Sequence, residues 1–292
     1  MDAWSQWILK NRFGGEKKAY NQMMAILRPI RDKVLEIAEI ENGDRVLDLG
    51  CGDGFMGFGV LEKYPDCQMV FLDVSHSVID TVRDIAQKKG ISGQCRFHVD
   101  KVENMKDIAS TSIDVAIGRS VLIYVPGKLS AFQELARVLK PEKGRFSLFE
   151  PVNNYFEDDP NTLWGYDVSA LDKNIVEKVK NAFSQFKANS EEDPMLNFTE
   201  RDLFHFAENA GFSDLKFNLE AQKATKTTEM NWSSFINTAP NPKIPSIAKI
   251  LDDNLSENQK RIFSDFMSKK FDNGLMASKE AFLYLYGGVI TN

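Results

Sequence analysis

The chain is poor in the residues from which redox and metal centres are most often built. Its 292 residues include three cysteines and three histidines. The cysteines, Cys51, Cys67 and Cys95, form no C-x-x-C pair and cannot all pair within one chain. This usage is typical of a reducing compartment. The sequence therefore predicts a cytoplasmic protein without a metal site.

Long apolar runs and an excess of positive charge are also absent. No stretch reaches the roughly 18 consecutive apolar residues of a transmembrane helix, and the start, MDAWSQWILKNRFGG, lacks the layout of a secretory signal. The net charge is −6, whereas a nucleic-acid surface needs clustered Lys and Arg. We therefore expect neither a membrane nor a nucleic acid as a partner. The composition leaves the oligomeric state open.

Between residues 45 and 150, strand-like apolar runs alternate with helical patterns. The predicted strands are 45–49, 69–74, 94–99, 112–118 and 144–150. The predicted helices between them are 55–64, 76–89 and 128–139. A further helix is predicted over 200–210, after the capping pair Thr199 and Asp202. The alternation predicts a doubly wound α/β fold, with a mostly parallel sheet between two layers of helices.

More elements flank this core in the sequence. Before it, helical spacing predicts two helices, 17–28 and 30–40, which meet at Pro29. After it, two strand-like runs, 215–220 and 280–288, predict an antiparallel pair at the edge of the sheet. This pair brings the predicted sheet to seven strands.

The stretch between the last two strands is predicted to be a helical cap. It contains the patterns of two helices, 246–253 and 257–271, in an insertion beside the ligand edge of the sheet. We expect four parts: an N-terminal helical lid over 1–40, a core over 41–225, a helical cap insertion over 226–275, and the last edge strand of the core over 276–292.

The segment VLDLGCGDGFMG, residues 46–57, contains a G-x-G-x-x-G pattern in Gly52, Gly54 and Gly57. The pattern alone is a weak signal, because short glycine motifs recur by chance. In a doubly wound sheet the ligand lies at the carboxyl ends of the strands. Gly50, Gly52 and Gly54 fit a loop there that lets a ligand approach the backbone. We interpret Gly57 as a site of helix packing.

Acidic residues at the ends of three successive strands identify the type of ligand. Asp48 would face an incoming pyrophosphate, which disfavours a nicotinamide dinucleotide and favours a cationic ligand. S-adenosylmethionine carries an ammonium and a sulfonium and has no phosphate. Asp73 could accept hydrogen bonds from ribose hydroxyls, as an acid also does in NAD sites. Asp100 could accept a hydrogen bond from an adenine amino group.

With these motifs the sequence resembles a class I S-adenosylmethionine-dependent methyltransferase. VLDLGCGDG resembles the first motif of the family, FLDVS the second and VDKVENM the third. SIDVAIGRSVLIYV and LARVLKPEKGRFSLFEP resemble the fourth and fifth strands of the branch with quinone-biosynthetic and arsenite methyltransferases. The resemblance covers about residues 30–150. It departs at KPEKGR, where this branch usually has two adjacent glycines.

The resemblance implies a Rossmann-like methyltransferase fold with S-adenosylmethionine as the cofactor. The cofactor-binding residues it implies are Asp48, Gly50, Cys51, Gly52, Asp73, Val74, Asp100, Lys101, Val102, Arg119 and Ser120. Arsenite is not the expected acceptor, because Cys67 and Cys95 precede their strands and lie at the opposite end of the sheet.

The predicted function is methyl transfer to a small, partly hydrophobic metabolite held under the helical cap. The catalytic candidates are Tyr20, Arg119 and Glu150, while His76 is interpreted as a surface residue. The predicted substrate pocket consists of Tyr20, Met23, Met24, Tyr124, Trp232, Phe235 and Ile236. The alternatives are a non-catalytic protein that binds S-adenosylmethionine and an NAD-dependent dehydrogenase. The acceptor atom (O, N, S or C) is left open.

Overall fold

A seven-stranded sheet organises the chain. The computed structural model describes residues 2, 6, 17–157, 159–185, 192–227, 231–239, 244–272 and 275–289, with the backbone alone for 17–22, 226 and 227. The strands are β1 (Arg45–Leu49), β2 (Gln68–Asp73), β3 (Cys95–Val99), β4 (Val115–Arg119), β5 (Arg145–Pro151), β6 (Thr162–Leu163), β7 (Tyr166–Asp167), β8 (Phe212–Thr227) and β9 (Leu275–Val289). The helices are α1 (Lys17–Ile37), α2 (Phe55–Lys63), α3 (His76–Lys88), α4 (Lys128–Val138), α5 (Lys173–Ser184), α6 (Glu200–Asn209), α7 (Trp232–Ile236), α8 (Ile247–Asn254) and α9 (Glu257–Asp272).

The strand order in the sheet is β3-β2-β1-β4-β5-β9-β8. Strands β1 to β5 run parallel, β9 is antiparallel to β5, and β8 is antiparallel to β9. The order reverses between β1 and β4, which makes this the switch point at which doubly wound sheets bind ligands. The predicted fold class, a mostly parallel seven-stranded α/β sheet, is confirmed.

Two hydrophobic clusters cover the two faces of the sheet. One joins the sheet to α4 and α6, with Phe132 and Leu203 at its centre. The other joins it to α1, α2 and α3, with Leu35 and Ile79 buried on the opposite face. Strands buried on both faces lack the polar alternation of an exposed sheet, and the burial pattern of β1 and β4 follows this rule.

Where two helices were predicted over residues 17–40, the described structure has one, α1. Helix α1 runs through Pro29 without a break. Proline removes one backbone hydrogen bond, but Leu27, Val34 and Leu35 continue the buried face across it. Packing on the sheet therefore favours a continuous helix, and the second half of α1 belongs to the core cluster rather than to a lid.

Helices from two separate stretches of the chain pack into a common cluster. Helix α5, which was not predicted, begins at Asp172, whose side chain accepts a hydrogen bond from the Asn174 amide at 2.8 Å. This helix and the β6–β7 hairpin pack against α7, α8 and α9 in a third cluster. Its members include Leu163, Tyr166, Ile175, Val179, Trp232, Leu251, Phe263, Met267 and Phe271. The helices of the predicted insertion 226–275 are thus only one part of this cluster, which is called the cap cluster below.

Strands β8 and β9 are much longer than the predicted 215–220 and 280–288. They form a ribbon that stays paired from Phe212 and Val289 to Thr227 and Leu275. Much of β8 is exposed and polar, so the apolar pattern marks only a part of it. Among the helices of the described residues, none has the length and apolar character needed to cross a bilayer.

Candidate active site

A pocket of about 530 Å³ lies at the carboxyl ends of the parallel strands. Its lining residues are Gly50, Cys51, Gly52, Asp53, Phe55, Met56, Asp73, Val74, Asp100, Lys101, Val102, Glu103, Arg119, Ser120, Val121, Ile123, Tyr124, Val125, Pro126 and Pro151. Every residue predicted to bind the cofactor is among them except Asp48. Most of the lining residues that were not predicted, such as Asp53, Glu103 and Val121, lie inside the quoted motif segments, so their position in those segments was the available signal.

The glycine loop after β1 forms the floor of this pocket. Gly50 has φ 56° and Gly52 has φ 54°, both in the left-handed region that favours glycine. A Cβ on Gly50 would also come within 3.0 Å of Val121. Gly57 lies further on, in α2, where a Cβ would collide with the Phe71 ring. The loop glycines therefore serve the pocket, whereas Gly57 serves helix packing.

Asp73 ends β2 and faces both the glycine loop and the pocket. One carboxylate oxygen accepts a hydrogen bond from the Gly52 amide at 3.1 Å, and the other accepts one from the Ser75 amide at 3.0 Å. Each carboxylate oxygen has two lone pairs, so Asp73 retains acceptor sites toward the pocket. Burial raises the pKa of Asp73, while its two amide donors act in the opposite sense.

Asp100 follows β3 and shapes the next part of the wall. Its carboxylate accepts hydrogen bonds from the Lys101 amide at 2.9 Å and the Lys106 amide at 3.2 Å. These bonds fold the turn that brings Val102 into the lining. Asp73 and Asp100 therefore end neighbouring strands on the same side of the pocket.

Asp48 lies beneath the glycine loop rather than in the pocket wall. One of its oxygens accepts a hydrogen bond from the Gly57 amide at 2.8 Å, and the other is buried without a hydrogen-bond partner in the described structure. Burial, with smaller contributions from the nearby carboxylates of Asp53 and Asp73, raises the pKa of Asp48 to about 8. A direct contact with a ligand was expected for Asp48, but the structure places it one layer behind the lining.

Glu150 is also behind the lining. Its carboxylate accepts hydrogen bonds from the amides of Val121 and Leu122, both at 2.9 Å, and of Ile123 at 3.2 Å. The side chain is buried. Of the catalytic candidates, Arg119 lies in the pocket, and the side chain of Tyr20 falls outside the described residues.

Most of the predicted substrate wall lies elsewhere. Tyr124 lines the pocket, but Met24 is buried and Met23 half-buried on α1, away from the lining. Trp232 and Phe235 pack on each other, with ring centroids 6.0 Å apart, inside the cap cluster together with Ile236. They were expected at the pocket because they are apolar and lie in the insertion, but Trp232 is buried in the third cluster and Phe235 and Ile236 pack against it. His76 is exposed at the start of α3.

A second pocket, of about 330 Å³, adjoins the first. Pro151 lines both pockets. The second pocket extends from the end of β5 to the β6–β7 hairpin and β9. Gly165 holds the hairpin to β9, since its carbonyl accepts a hydrogen bond from the Ala277 amide at 2.8 Å. A Cβ on Gly165 would collide with the Ala277 carbonyl, so this close approach requires glycine.

The first pocket fits S-adenosylmethionine. Left-handed glycines give it a backbone floor, and Asp73 and Asp100 offer carboxylates to an adenosine. Asp53 adds a carboxylate to the lining, and Asp48 lies behind it with one buried oxygen that has no hydrogen-bond partner in the described structure. Such a floor favours a ligand with an ammonium and a sulfonium over one with phosphates.

Known proteins resemble this chain in sequence. The family model described as "Methyltransferase domain" matches residues 40–200, more than half of the chain. Malonyl-[acyl-carrier protein] O-methyltransferase 2 of Ilyobacter polytropus is 28% identical over 152 residues, which cover 51% of this chain and 56% of that protein. The arsenite methyltransferase of Halobacterium salinarum is 30% identical over 134 residues, 44% of this chain and 34% of that protein. The chain thus matches about half the length of the first relative and a third of the second.

Solved structures share the fold at low sequence identity. Geranyl diphosphate C-methyltransferase from Streptomyces coelicolor superposes with a TM-score of 0.54 at 12% identity, covering 94% of this chain and 84% of that one. Phosphoethanolamine N-methyltransferase 2 of Haemonchus contortus, in complex with S-adenosyl-L-methionine, gives 0.53 at 14% identity, covering 99% of this chain and 56% of that one. The match to the family model shows that the chain belongs to the methyltransferase-domain family, and this confirms the predicted resemblance to class I S-adenosylmethionine-dependent methyltransferases.

Proposed function

We propose that this protein transfers the methyl group of S-adenosylmethionine to a small, partly hydrophobic acceptor. The observation that carries the proposal is the left-handed glycine loop after β1, which faces Asp73 and Asp100 at the ends of the next two strands. In-line displacement at the sulfonium needs little from the protein beyond alignment. Holding the two reactants in line is worth about 7–11 kcal/mol of the barrier.

The chain supplies a set of binding roles for the cofactor. Asp73 accepts hydrogen bonds from the ribose hydroxyls through its remaining lone pairs, and Asp100 accepts one from the adenine amino group. The Asp53 carboxylate provides negative potential that favours the cationic end of the cofactor, and a bound cation in turn favours the ionised form of Asp48. When bound, S-adenosylmethionine supplies an activated methyl group, and the protein keeps that group facing the acceptor.

The acceptor is proposed to enter where the two pockets meet at Pro151. On one side, Arg119 and Tyr124 line the cofactor pocket. On the other, the 330 Å³ pocket combines the apolar surfaces of Phe156 and Phe282 with charged groups that include Lys223 and Lys279. A small molecule with an apolar body and a polar group fits this lining better than a folded protein or a nucleic acid duplex.

Proton transfer is required only if the acceptor arrives protonated. Arg119 is the predicted catalytic candidate that lines the pocket, and Tyr124, predicted for the substrate pocket, lines it as well. The carboxylate of Glu150 already accepts hydrogen bonds from three backbone amides, so it is less suited to act as a base. Arsenite is not proposed, because the thiols of Cys67 and Cys95 are buried and directed to the carbonyls of Glu41 and Ile91.

Ligand binding separates this proposal from the dehydrogenase alternative. S-adenosylmethionine and S-adenosylhomocysteine should each raise the thermal unfolding temperature through linkage, and NAD should not. Stabilisation by NAD without stabilisation by S-adenosylhomocysteine would contradict the assignment.

Methyl transfer separates an enzyme from a binding protein. Small molecules that co-purify with the protein would be identified by mass spectrometry and then supplied with S-adenosylmethionine carrying a labelled methyl group. We expect label in one of these molecules. Tight cofactor binding with no labelled product from any of them would favour the non-catalytic alternative.

A further inference from the structure

Glu150 has a buried carboxylate whose hydrogen bonds all run to one short stretch of backbone. The side chain is 1% exposed at the end of β5. One oxygen accepts hydrogen bonds from the amides of Val121 and Leu122, and the other accepts one from Ile123. Three consecutive amides therefore converge on a single side chain, which is the geometry of an anion bound by backbone donors.

The stretch that Glu150 holds has an unusual backbone. Ser120, which precedes the three amides, has φ 56°, a left-handed conformation that is uncommon for serine. Its amide donates a hydrogen bond to the Phe149 carbonyl at 2.8 Å, and a single turn of 3-10 helix, Leu122–Tyr124, follows. The first amides of such a turn have no carbonyl partner within the turn. Glu150 supplies the missing acceptors.

This stretch is also a wall of the cofactor pocket. The residues that line the pocket here are Ser120, Val121, Ile123, Tyr124, Val125 and Pro126. Its far end is held by Lys128, a buried lysine whose ammonium donates hydrogen bonds to the carbonyls of Val125 at 3.0 Å and Pro194 at 2.8 Å. A buried anion thus holds one end of the wall and a buried cation holds the other.

We infer that Glu150 is a positioning residue, which in its ionised form fixes the 120–126 wall against the cofactor and acceptor. A protonated carboxyl would present an O–H to an amide N–H and could no longer accept all three bonds. The residue acts through the backbone and does not touch the reacting atoms. The inference rests on the proposed function, since the wall serves methyl transfer only when the pocket binds a cofactor and an acceptor.

The charges around Glu150 set the pH range in which it works. Burial raises the pKa of Glu150 to about 7, while its three amide donors and Lys128 act in the opposite sense. Among the described residues, Lys128, on α4, is the charged group that acts on it. Burial lowers the pKa of Lys128 to about 8, so Lys128 is charged throughout the acidic range in which Glu150 takes up its proton. Loosening of the wall below about pH 7 therefore reports on Glu150.

The test uses Glu150→Gln, which keeps the size of the side chain but removes the charge and one acceptor. The affinity for S-adenosylhomocysteine and the hydrogen exchange of the 121–123 amides are measured between about pH 6 and pH 8. The matched control is Ser147→Ala, because Ser147 is fully buried on the same strand and its hydroxyl has no hydrogen-bond partner in the described structure.

In the wild type and in Ser147→Ala, acidification should weaken S-adenosylhomocysteine binding and lower the protection of the three amides. In Glu150→Gln, the affinity at pH 8 should be about tenfold lower, and the part of the pH dependence that Glu150 causes should be absent. An unchanged affinity, or the same pH dependence in Glu150→Gln, would overturn the inference. If Glu150→Gln does not fold, exchange in the wild type decides, since protection that stays constant on acidification would overturn it. Failure of the wild type to bind S-adenosylhomocysteine at all would instead contradict the proposed function, and exchange of the amides would still decide the role of Glu150.

Discussion

At the scale of single residues, the carboxylates near the pocket differ in how far backbone donors already occupy them. Glu150 accepts hydrogen bonds from three backbone amides, and Asp73 accepts two and still faces the pocket. Asp48 accepts one such hydrogen bond, and its second oxygen has no partner in the described structure. These acids share a chemistry and a position at strand ends. The local backbone determines which of them holds the protein together and which remains available to a ligand.

Replacing Asp73 with alanine should weaken cofactor binding strongly. The change removes charge-assisted hydrogen bonds worth about 1.5–3 kcal/mol each and releases the Gly52 amide, so S-adenosylhomocysteine affinity should fall at least about tenfold. Isothermal titration calorimetry measures the change, with circular dichroism as the check on folding. Asp80→Ala is the control, because Asp80 is exposed on α3 and pairs with Arg83. Wild-type affinity in Asp73→Ala would place the ribose site elsewhere.

At the scale of secondary structure, local sequence patterns were sufficient to predict the elements that are buried along most of their length. Strands β1 and β5 were predicted to within a residue or so, and the capping box of Thr199 and Asp202 starts α6 as expected. The missed features depend on distant partners. Helix α5 completes its core only against α7 to α9, and Trp232 is directed into the cap by packing that no local pattern encodes. The residues that line the pocket were predictable because they lie at or after the ends of strands. The position of Asp48 behind the lining was not predictable, because it depends on how the glycine loop folds.

A single substitution in the cap cluster should destabilise the protein without changing cofactor binding. Phe263 is fully buried on α9, at the centre of the cap cluster. Phe263→Ala should cost about 3–5 kcal/mol of unfolding free energy, since it removes a buried ring and leaves a cavity. S-adenosylhomocysteine affinity should stay unchanged, because Phe263 does not line the pocket.

Urea unfolding and calorimetry measure these two quantities. The neighbouring Ile262 is 37% exposed, so Ile262→Ala is the control and should have a much smaller effect on stability. If Phe263→Ala weakens cofactor binding as much as Asp73→Ala does, the cap belongs to the cofactor site after all.

At the scale of the whole molecule, the carboxyl groups at the two ends of the parallel strands have pKa values that are shifted in opposite directions. At the amino ends of the strands, Asp114 pairs with Lys140 at 2.6 Å, and this contact and the Arg45 amide lower its pKa. At the carboxyl ends, burial raises the pKa of Asp48, Asp73 and Glu150. The carboxyls whose ionisation costs free energy in the folded protein therefore lie at the ligand-binding end of the strands. A cationic cofactor bound there reduces that cost.

The stability of the ligand-free protein should consequently fall as the pH rises from about 5 to about 8. A carboxyl with a folded pKa above its unfolded value of about 4 holds its proton more tightly in the folded state. Its contribution is therefore complete below the unfolded pKa and lost as the pH rises through the folded pKa, which is about 8 for Asp48 and about 7 for Glu150. The lowered pKa of His98 acts in the opposite sense, and so does that of Lys128 as the pH approaches about 8, but these two groups oppose the three carboxyls of Asp48, Asp73 and Glu150.

Urea unfolding at about pH 5.5, 7 and 8.5 measures this slope, and S-adenosylmethionine should flatten it because its positive charge favours the ionised carboxyls. Asp48→Asn should remove part of the slope. Asp114→Asn should leave the slope as it is, because the lowered pKa of Asp114 confines its titration to more acidic solutions. A stability that rises over this range, or a slope that Asp48→Asn does not change, would show that the carboxyls at the ligand edge are ionised without cost in the folded protein.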